Sequence, residues 1–418
     1  MLAPLIKVLQ CLGFIDKTIS DNLISGHCNM YRNTRFGELL KALPKNTFRG
    51  CVEQHQSDKY NKGFDTWDHM ISMIYAQLSG SRSLRELEVG YNSLAAHHYH
   101  LDCGPIKRST LSDANANRDA SVFESFCESL MSRAHSGLRR EVKDLLYLLD
   151  SSPICLLGRG YEWTQGQSMP HVPGLKLHLM YAPDAMLPCT AKVTRSNVND
   201  IEYGRDIEIE PGAKYVFDKG YCDYNWWYRI DQAGAFFVTR AKRNASVKVS
   251  KVNSINGESD SIILADEIIQ FKNKRPGGGR INHYTKPLRR IVIHREDHDE
   301  PIVLVTNQMG TPAEEIAELY KRRWAIELWF KWIKQNLKIK RFLGRSENAV
   351  KIQLLIALIT YLLAYIYRQL SGSTRSLYLW IAELKSTLFQ RSILEYEALK
   401  RRRRNKTNFR KLQAELLL

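Results

Sequence analysis

Residues 320–334 read YKRRWAIELWFKWIK. On a helix advancing about 100° per residue, Arg323, Glu327 and Lys334 fall roughly 60°, 20° and 40° to one side of Tyr320, so the four share one narrow stripe. That stripe offers one carboxylate to a metal ion and three chemically different donors to a phosphate: a planar guanidinium fork, a compact ammonium and a hydroxyl. An ordinary Arg323–Glu327 pair at i, i+4 would be worth only a few tenths of a kcal/mol. The flanking residues Trp324, Ile326, Leu328, Trp329, Phe330, Trp332 and Ile333 are apolar around the whole girth, which predicts a buried helix, and buried charges need a reason. Its start is written at Thr311-Pro312-Ala313-Glu314, with Thr as cap and Pro at the first helical position, and the helix is expected to run to about Asn336.

Upstream, two short apolar runs each end on a carboxylate: KDLLYLLD at 143–150 and AKYVFD at 213–218. Both have the length and continuity of buried strands. Between them LKLHLMYAP (175–183) and CTAKVTR (189–195) alternate as an antiparallel pair would, and a polar helical stretch covers about 199–208. AFFVTRAK (235–242), RRIVIHRE (289–296) and EPIVLVTN (300–307) read as further strands, with a basic, glycine-rich and mobile loop, KNKRPGGGRINHYTKPLRR, at 272–290. An aspartate at a strand end more often caps a turn than binds anything. Two of them with a glutamate on a later helix suit Mg²⁺, which takes hard oxygen ligands and keeps substrate phosphates in its shell. Two such ions about 3.5 to 4 Å apart can activate an attacking hydroxyl and stabilise the leaving oxygen of an in-line phosphoryl transfer.

The 418 residues carry 61 Lys and Arg against 44 Asp and Glu, a net charge of +17 that attracts polyanions. Nucleic acid is the partner this charge selects. A membrane-binding protein is the competing class, but the apolar run from Leu354 to Tyr367, broken only by Thr360, falls short of the ~20 residues a span requires and reads as a buried helix. The eight cysteines are scattered without a CxxC pair, which fits a reducing cytoplasm. His97, His98, His100 and Cys103 crowd together without a second cluster at zinc-finger spacing, so they read as a solvated turn between helices.

Residues 1–64 read as a small helical module ending in the polar stretch HQSDKYNKG (55–63). WDHMISMIYAQL (67–78), SLRELEVGYNSL (83–94) and a helix capped by Ser109 or Thr110, with Ser112, Asn115, Asn117 and Arg118 on its exposed side, form either a helix-turn-helix unit or a plain helical bundle. The chain from about Val350 is expected to be helical and closes with RRRRNKTNFRK, read as a contact to phosphate backbone in preference to a solvated tail.

Tyr320, Arg323, Glu327 and Lys334 reproduce a Y-(2)-R-(3)-E-(6)-K signature, and with DSS at 150–152, DKGYCDY at 218–224 and LLKALPKNTF at 39–48 the chain resembles the DDE transposases of bacterial insertion sequences that carry this YREK motif. The likeness covers nearly the whole chain. It implies an α/β, ribonuclease H-like mixed-sheet catalytic domain at 139–345 with a β-rich insertion at about 243–308. Helical DNA-binding regions at 1–64 and 65–138 would precede it, and a basic helical region at 346–418 would follow. It further implies excision through hairpin-ended DNA and joining of 3′ ends to target DNA by a homodimer on paired inverted-repeat ends, in the bacterial cytoplasm at the nucleoid. By carry-over Asp150, Asp218 and Glu327 would bind two Mg²⁺ or Mn²⁺ ions, and Tyr320, Arg323 and Lys334 would hold phosphate. Relatives can stack a flipped base on a Trp of the insertion; no Trp lies between Trp227 and Trp324 here, and Phe271 or Tyr284 could offer the ring instead. Two other readings compete: a metal-dependent nuclease or resolvase of the same fold, and a DNA-binding regulator or inactive derivative.

Overall fold

The structure, a computed structural model, describes residues 34–142, 144–164, 173–242, 245–254, 262–272, 274–275, 280–294 and 300–390. It divides into two compact units, one formed by residues 1–133 with 337–418 and the other by 134–336.

The first unit is helical where it is described: α1 (Arg35–Lys41), α2 (Lys45–Gln54), α3 (Thr66–Ser79), α4 (Leu84–Asn92), α5 (Ala95–Leu101), α6 (Arg108–Asn117) and the start of α7 (Ser121–Glu141). Asp65 and Ser83 accept the backbone N–H groups of Asp68 and Glu86, so α3 and α4 begin on side-chain caps. The histidine-rich stretch is α5 itself and not a turn: His98 is buried, stacks on Tyr91 and bonds the Tyr91 carbonyl at 2.9 Å. On α6, Ser112 and Asn117 are exposed as expected, but Asn115 is 1% exposed and bonds His69 at 3.0 Å. Arg118 is drawn inward as well, donating to the carbonyls of Phe64 and Asp65.

The second unit is built on one nine-stranded mixed sheet of order β3-β2-β1-β4-β5-β9-β8-β7-β6. Its strands are β1 (Leu146–Cys155), β2 (Gly174–Ala182), β3 (Leu187–Arg195), β4 (Lys214–Phe217), β5 (Phe236–Arg240), β6 (Val247–Val252), β7 (Ile263–Phe271), β8 (Leu288–Ile293) and β9 (Ile302–Thr306). β1, β4 and β5 run parallel side by side, and every other neighbouring pair is antiparallel. The unbroken apolar runs of β1 and β4 have their cause here: Leu148, Leu149, Val216 and Phe217 are all 0% exposed because both faces of the parallel centre are covered. The helices α8 (Asp200–Asp206), α9 (Tyr224–Gln232), α10 (Ala313–Lys321) and α11 (Trp324–Asn336) complete the unit. The strands between residues 243 and 308 do not form a separate body, since β9 pairs with β5 and extends the same sheet. The described part of the basic loop is held to α9: Asn225 bonds both Ile281 and His283, and Lys286 pairs with Asp231.

Two further helices belong to the first unit, α12 (Glu347–Ser371) and α13 (Leu377–Ser386). At 25 residues α12 is longer than the apolar run suggested and is long and apolar enough to cross a membrane. It is a core helix, with 89% of its most apolar window buried and α1, α3, α6 and α13 packed around it. The arginine run at 401–404 and the first 33 residues lie outside the described residues.

Candidate active site

The parallel register sets the site. Leu149 lies opposite Phe217, so the next residues along β1 and β4, Asp150 and Asp218, emerge side by side at the carboxyl edge of the sheet's parallel centre. β4 stops there, but β1 does not end at Asp150 as the sequence suggests; it continues to Cys155 because β2 still pairs with it, Asp150 opposite Leu179. The apolar run ends at Asp150, whereas the ladder is closed by backbone groups that polar residues supply equally well.

The helix carrying the third carboxylate is likewise broken. Residues 311–336 form two helices, α10 and α11, joined by a tight turn at Arg322 and Arg323, where the N–H groups of Arg323, Ala325 and Ile326 bond carbonyls three residues back. Thr311 makes no cap; Pro312 stands at the cap position without a side-chain bond. Nor is α11 buried all round: Ile326, Trp329, Phe330 and Ile333 are, while Trp324 is 59% and Leu328 48% exposed.

The turn swings Arg323 over the strand edge. Its guanidinium donates to Glu327 at 2.5 Å and to Asp150 at 3.3 Å, with the arginine side chain 15% exposed. Tyr320, 8% exposed, places its hydroxyl 3.4 Å from Asp218. Lys334, two turns on from Glu327, donates to the Ser152 hydroxyl at 2.6 Å and the Pro153 carbonyl at 2.9 Å, just beyond Asp150 on β1. Residues 150, 218 and 320–334 therefore meet in one place.

The electrostatics follow from that crowding. Burial pushes the Asp150 carboxyl up to about 6; the Ser151 N–H, bonded at 2.8 Å, and Arg323 oppose this, while Glu327 and Asp200 add to it. Burial pushes the Tyr320 hydroxyl up to about 12, with Asp218 in the same direction and Arg323 and Arg240 opposing. For Arg323 burial works against the charge, yet Tyr320, Asp150 and Glu327 outweigh it and hold the guanidinium protonated. The carboxylate oxygens are the hard donors a divalent ion requires. As the side chains stand, no three His, Cys, Asp or Glu among the described residues are close enough to hold an ion, and the cation between Asp150 and Glu327 is Arg323 itself.

Two residues at the site carry no motif that would single them out. Arg240, at the end of β5, brings its guanidinium within 3.8 Å of Asp218. Asp200, at the start of α8, accepts from the Ser151 hydroxyl at 2.7 Å and Lys176 at 3.1 Å, and its other oxygen leaves no room for a side chain at Gly220. It thus touches both segments that carry the aspartates. Neither stacking candidate is a free ring: Tyr284 is 1% exposed, and Phe271 packs on Tyr224 with centroids 4.4 Å apart.

A family model described as the transposase DDE domain matches residues 142–363, more than half the chain, and so spans the whole carboxylate arrangement. The chain belongs to the DDE transposase family. Residues 31–102 match a second model, described as a domain of unknown function. Among curated relatives, y4zB of Sinorhizobium fredii, named as a transposase, is 41% identical over 67% of this chain and 77% of its own length. A Geobacillus stearothermophilus protein named for insertion sequence element IS5377 is 27% identical over 72% of this chain and 81% of its own. A Synechocystis protein named for element IS4SA is 30% identical over 61% and 70%. Among solved structures, a piggyBac transposase synaptic complex with hairpin DNA is similar at a TM-score of 0.46 and 10% identity, over 89% of this chain and 83% of that one. This DDE transposase is accordingly an insertion-sequence enzyme of transposition, and its family implies action on DNA strands.

Proposed function

We propose that this transposase cleaves at the ends of its insertion sequence and joins the 3′ ends to target DNA by two-metal phosphoryl transfer at Asp150, Asp218 and Glu327. The observation that carries this reading is the convergence of the two strand-end aspartates with the Tyr320–Lys334 stripe through Arg323 and Tyr320. Sheet order β3-β2-β1-β4-β5, with β2 antiparallel beside the parallel centre, supports a ribonuclease H-like core, and the YREK spacing supports the hairpin-forming group.

Asp150, Asp218 and Glu327 would hold Mg²⁺ or Mn²⁺, which when bound supplies Lewis acidity for the attacking and leaving oxygens. Arg323 must release at least one carboxylate for this to happen, and a DNA phosphate is a suitable new partner for its fork. Tyr320, Lys334 and Arg240 line the same edge and would hold phosphate oxygens beside it. Lys334 also fixes the backbone after Asp150, which keeps that carboxylate in place while the substrate binds. The regions at 65–138 and 346–418 would supply duplex DNA contacts away from the carboxylate site, in a homodimer on paired ends, in the bacterial cytoplasm.

The test is cleavage of a duplex carrying the element's terminal repeat by purified protein with Mg²⁺. Asp150→Ala, Asp218→Ala and Glu327→Ala should each abolish nicking and strand joining while leaving end binding intact. Retained cleavage in any of the three would remove that residue from the site; binding and biological effect surviving all three without cleavage in the parent would favour a regulator.

A further inference from the structure

The ladder that brings Asp150 and Asp218 together ends one residue short of both. The last paired residues of β1 and β4 are Leu149 and Phe217, so this pairing does not itself span the two aspartates. Asp150 is steadied on its other side by β2, opposite Leu179, whereas Asp218 leads into the turn Lys219–Tyr221. Carboxylates that share divalent ions need their geometry held to within about 0.5 Å, so a tie beyond the ladder is required between β1 and that turn.

Asp200 supplies the tie. Ser151 lies opposite His178 in the β1–β2 register, and Lys176 is two residues from His178, so the three share the face of the sheet opposite to that of Asp150. α8 is seated on this face: Tyr203 bonds Thr190 at 2.6 Å and stacks on the buried ring of His178. At the start of α8, Asp200 Oδ1 accepts from the Ser151 hydroxyl at 2.7 Å and from Lys176 at 3.1 Å, with His178 Nδ1 3.7 Å away. Lys176 also donates to the Val198 carbonyl at 2.8 Å, so one ammonium holds both the carboxylate and the chain entering α8. Asp200 Oδ2 faces the other segment. It stands 2.8 Å from the place a Cβ would take on Gly220, and the three atoms nearest that place all belong to Asp200. An acidic residue in the first turn of a helix ordinarily serves the free N–H groups of its own helix. Here one carboxylate reaches from the residue after Asp150 to the second residue after Asp218.

We propose that Asp200 is a positioning residue, holding the Asp150 and Asp218 carboxylates at the spacing a divalent ion requires without itself touching metal or DNA. The inference rests on the two-metal reading and adds a residue to which that reading gives no part.

The test compares three variants. Asp200→Ala removes both contacts. Asp200→Asn keeps the size of the side chain and an acceptor for Ser151 and Lys176. Gly220→Ala leaves every carboxylate and donor in the chain and displaces Asp200, with no backbone penalty because Gly220 lies outside the left-handed region. Two quantities are read: the Mn²⁺ affinity of the DNA-free protein, by electron paramagnetic resonance, and the Mg²⁺ concentration giving half-maximal single-turnover cleavage of a terminal-repeat duplex. Both should weaken about 10- to 100-fold in Asp200→Ala and in Gly220→Ala and stay near the parent's in Asp200→Asn. The Asp200→Ala/Gly220→Ala double variant should be no worse than the worse single one, since the added methyl then has nothing to displace. A folded Asp200→Ala with the parent's Mn²⁺ affinity and Mg²⁺ dependence overturns the proposal, even where its melting temperature falls. If Asp200→Ala does not fold, Gly220→Ala decides by the same two quantities. Asp200→Asn as impaired as Asp200→Ala would show that the charge acts directly, as a metal ligand or base, and overturns the positioning role. A parent that binds no Mn²⁺ and cleaves nothing with Mg²⁺ overturns the two-metal reading itself.

Discussion

Replacing Asp150 by Asn should stabilise the metal-free protein at neutral pH while destroying its chemistry. In the fold the Asp150 carboxyl titrates at about 6 against an ordinary value of 3.8, with burial as the main cause. That is roughly a hundredfold change in proton affinity, and at about 1.4 kcal/mol per tenfold the ionised form costs roughly 3 kcal/mol at pH 7.5. Asparagine keeps the size and an acceptor for the Ser151 N–H, and leaves Arg323 its bond to Glu327. The attraction of Arg323 is already counted in that net shift, and the amide bonds the Ser151 N–H less strongly than a carboxylate, so a net gain of about 1 to 3 kcal/mol is expected, a rise of roughly 2 to 10 °C for a unit of this size. The sign fixes the pH window. Because the folded value is raised, neutral Asp150 favours folding below about pH 4, and that contribution is lost as pH rises through 6. The variant should therefore match the parent near pH 4 and exceed it at pH 7.5 in chelator-treated samples. Mg²⁺ should then raise the parent's melting temperature and leave the variant's alone. A variant less stable than the parent at pH 7.5, or a gap of equal size at both pH values, would refute the argument.

Cleavage by the parent should fall as pH drops below about 6, since a metal must compete with the proton on Asp150; a flat rate between pH 5 and 8 would count against it. Tyr320→Phe should slow single-turnover cleavage about 3- to 10-fold with stability changed by less than about 0.5 kcal/mol, because the bond it removes is long, at 3.4 Å. Arg289→Met should cost about 3 to 5 kcal/mol in chemical denaturation, since it strands Asp266, 7% exposed, and frees the Met309 and Thr311 carbonyls ahead of α10. Adding Asp266→Asn should recover most of that loss. Gly174→Ala should destabilise by several kcal/mol, because Gly174 has φ +142° and an added Cβ would stand 2.0 Å from the Ile154 carbonyl oxygen.

What the sequence conveyed was periodicity, and it conveyed it where packing is uniform. β4 and the β2–β3 pair could be read from their apolar spacing, and of the angular stripe Tyr320 and Arg323 reach the two aspartates, while Glu327 bonds Arg323 and Lys334 bonds the residues just beyond Asp150. The stripe assumes one straight helix, yet the chain takes a tight turn at Arg322 and Arg323. The burial of Asn115 and Arg118 was illegible because polar residues bury when partners wait for them, and those partners, His69 and the carbonyls of Phe64 and Asp65, lie about 50 residues away. Arg240 and Asp200 were illegible for a related reason. Their role depends on which strand ends next to which, and strand order is set by pairing across long separations. Of the insertion strands, β8 and β9 were read from their apolar runs and β6 and β7 were not, and nothing local says that β9 docks on β5.

That docking governs how such a chain can vary. β5 donates one edge to β4 and the other to β9, so removing residues 247–306 as a block would leave Phe236–Arg240 with an open ladder of N–H and C=O groups. An open edge recruits another chain, and aggregates follow. Shortening the hairpin tips leaves that edge covered, whereas removing β9 uncovers it and the strand whose last residue, Arg240, stands beside Asp218.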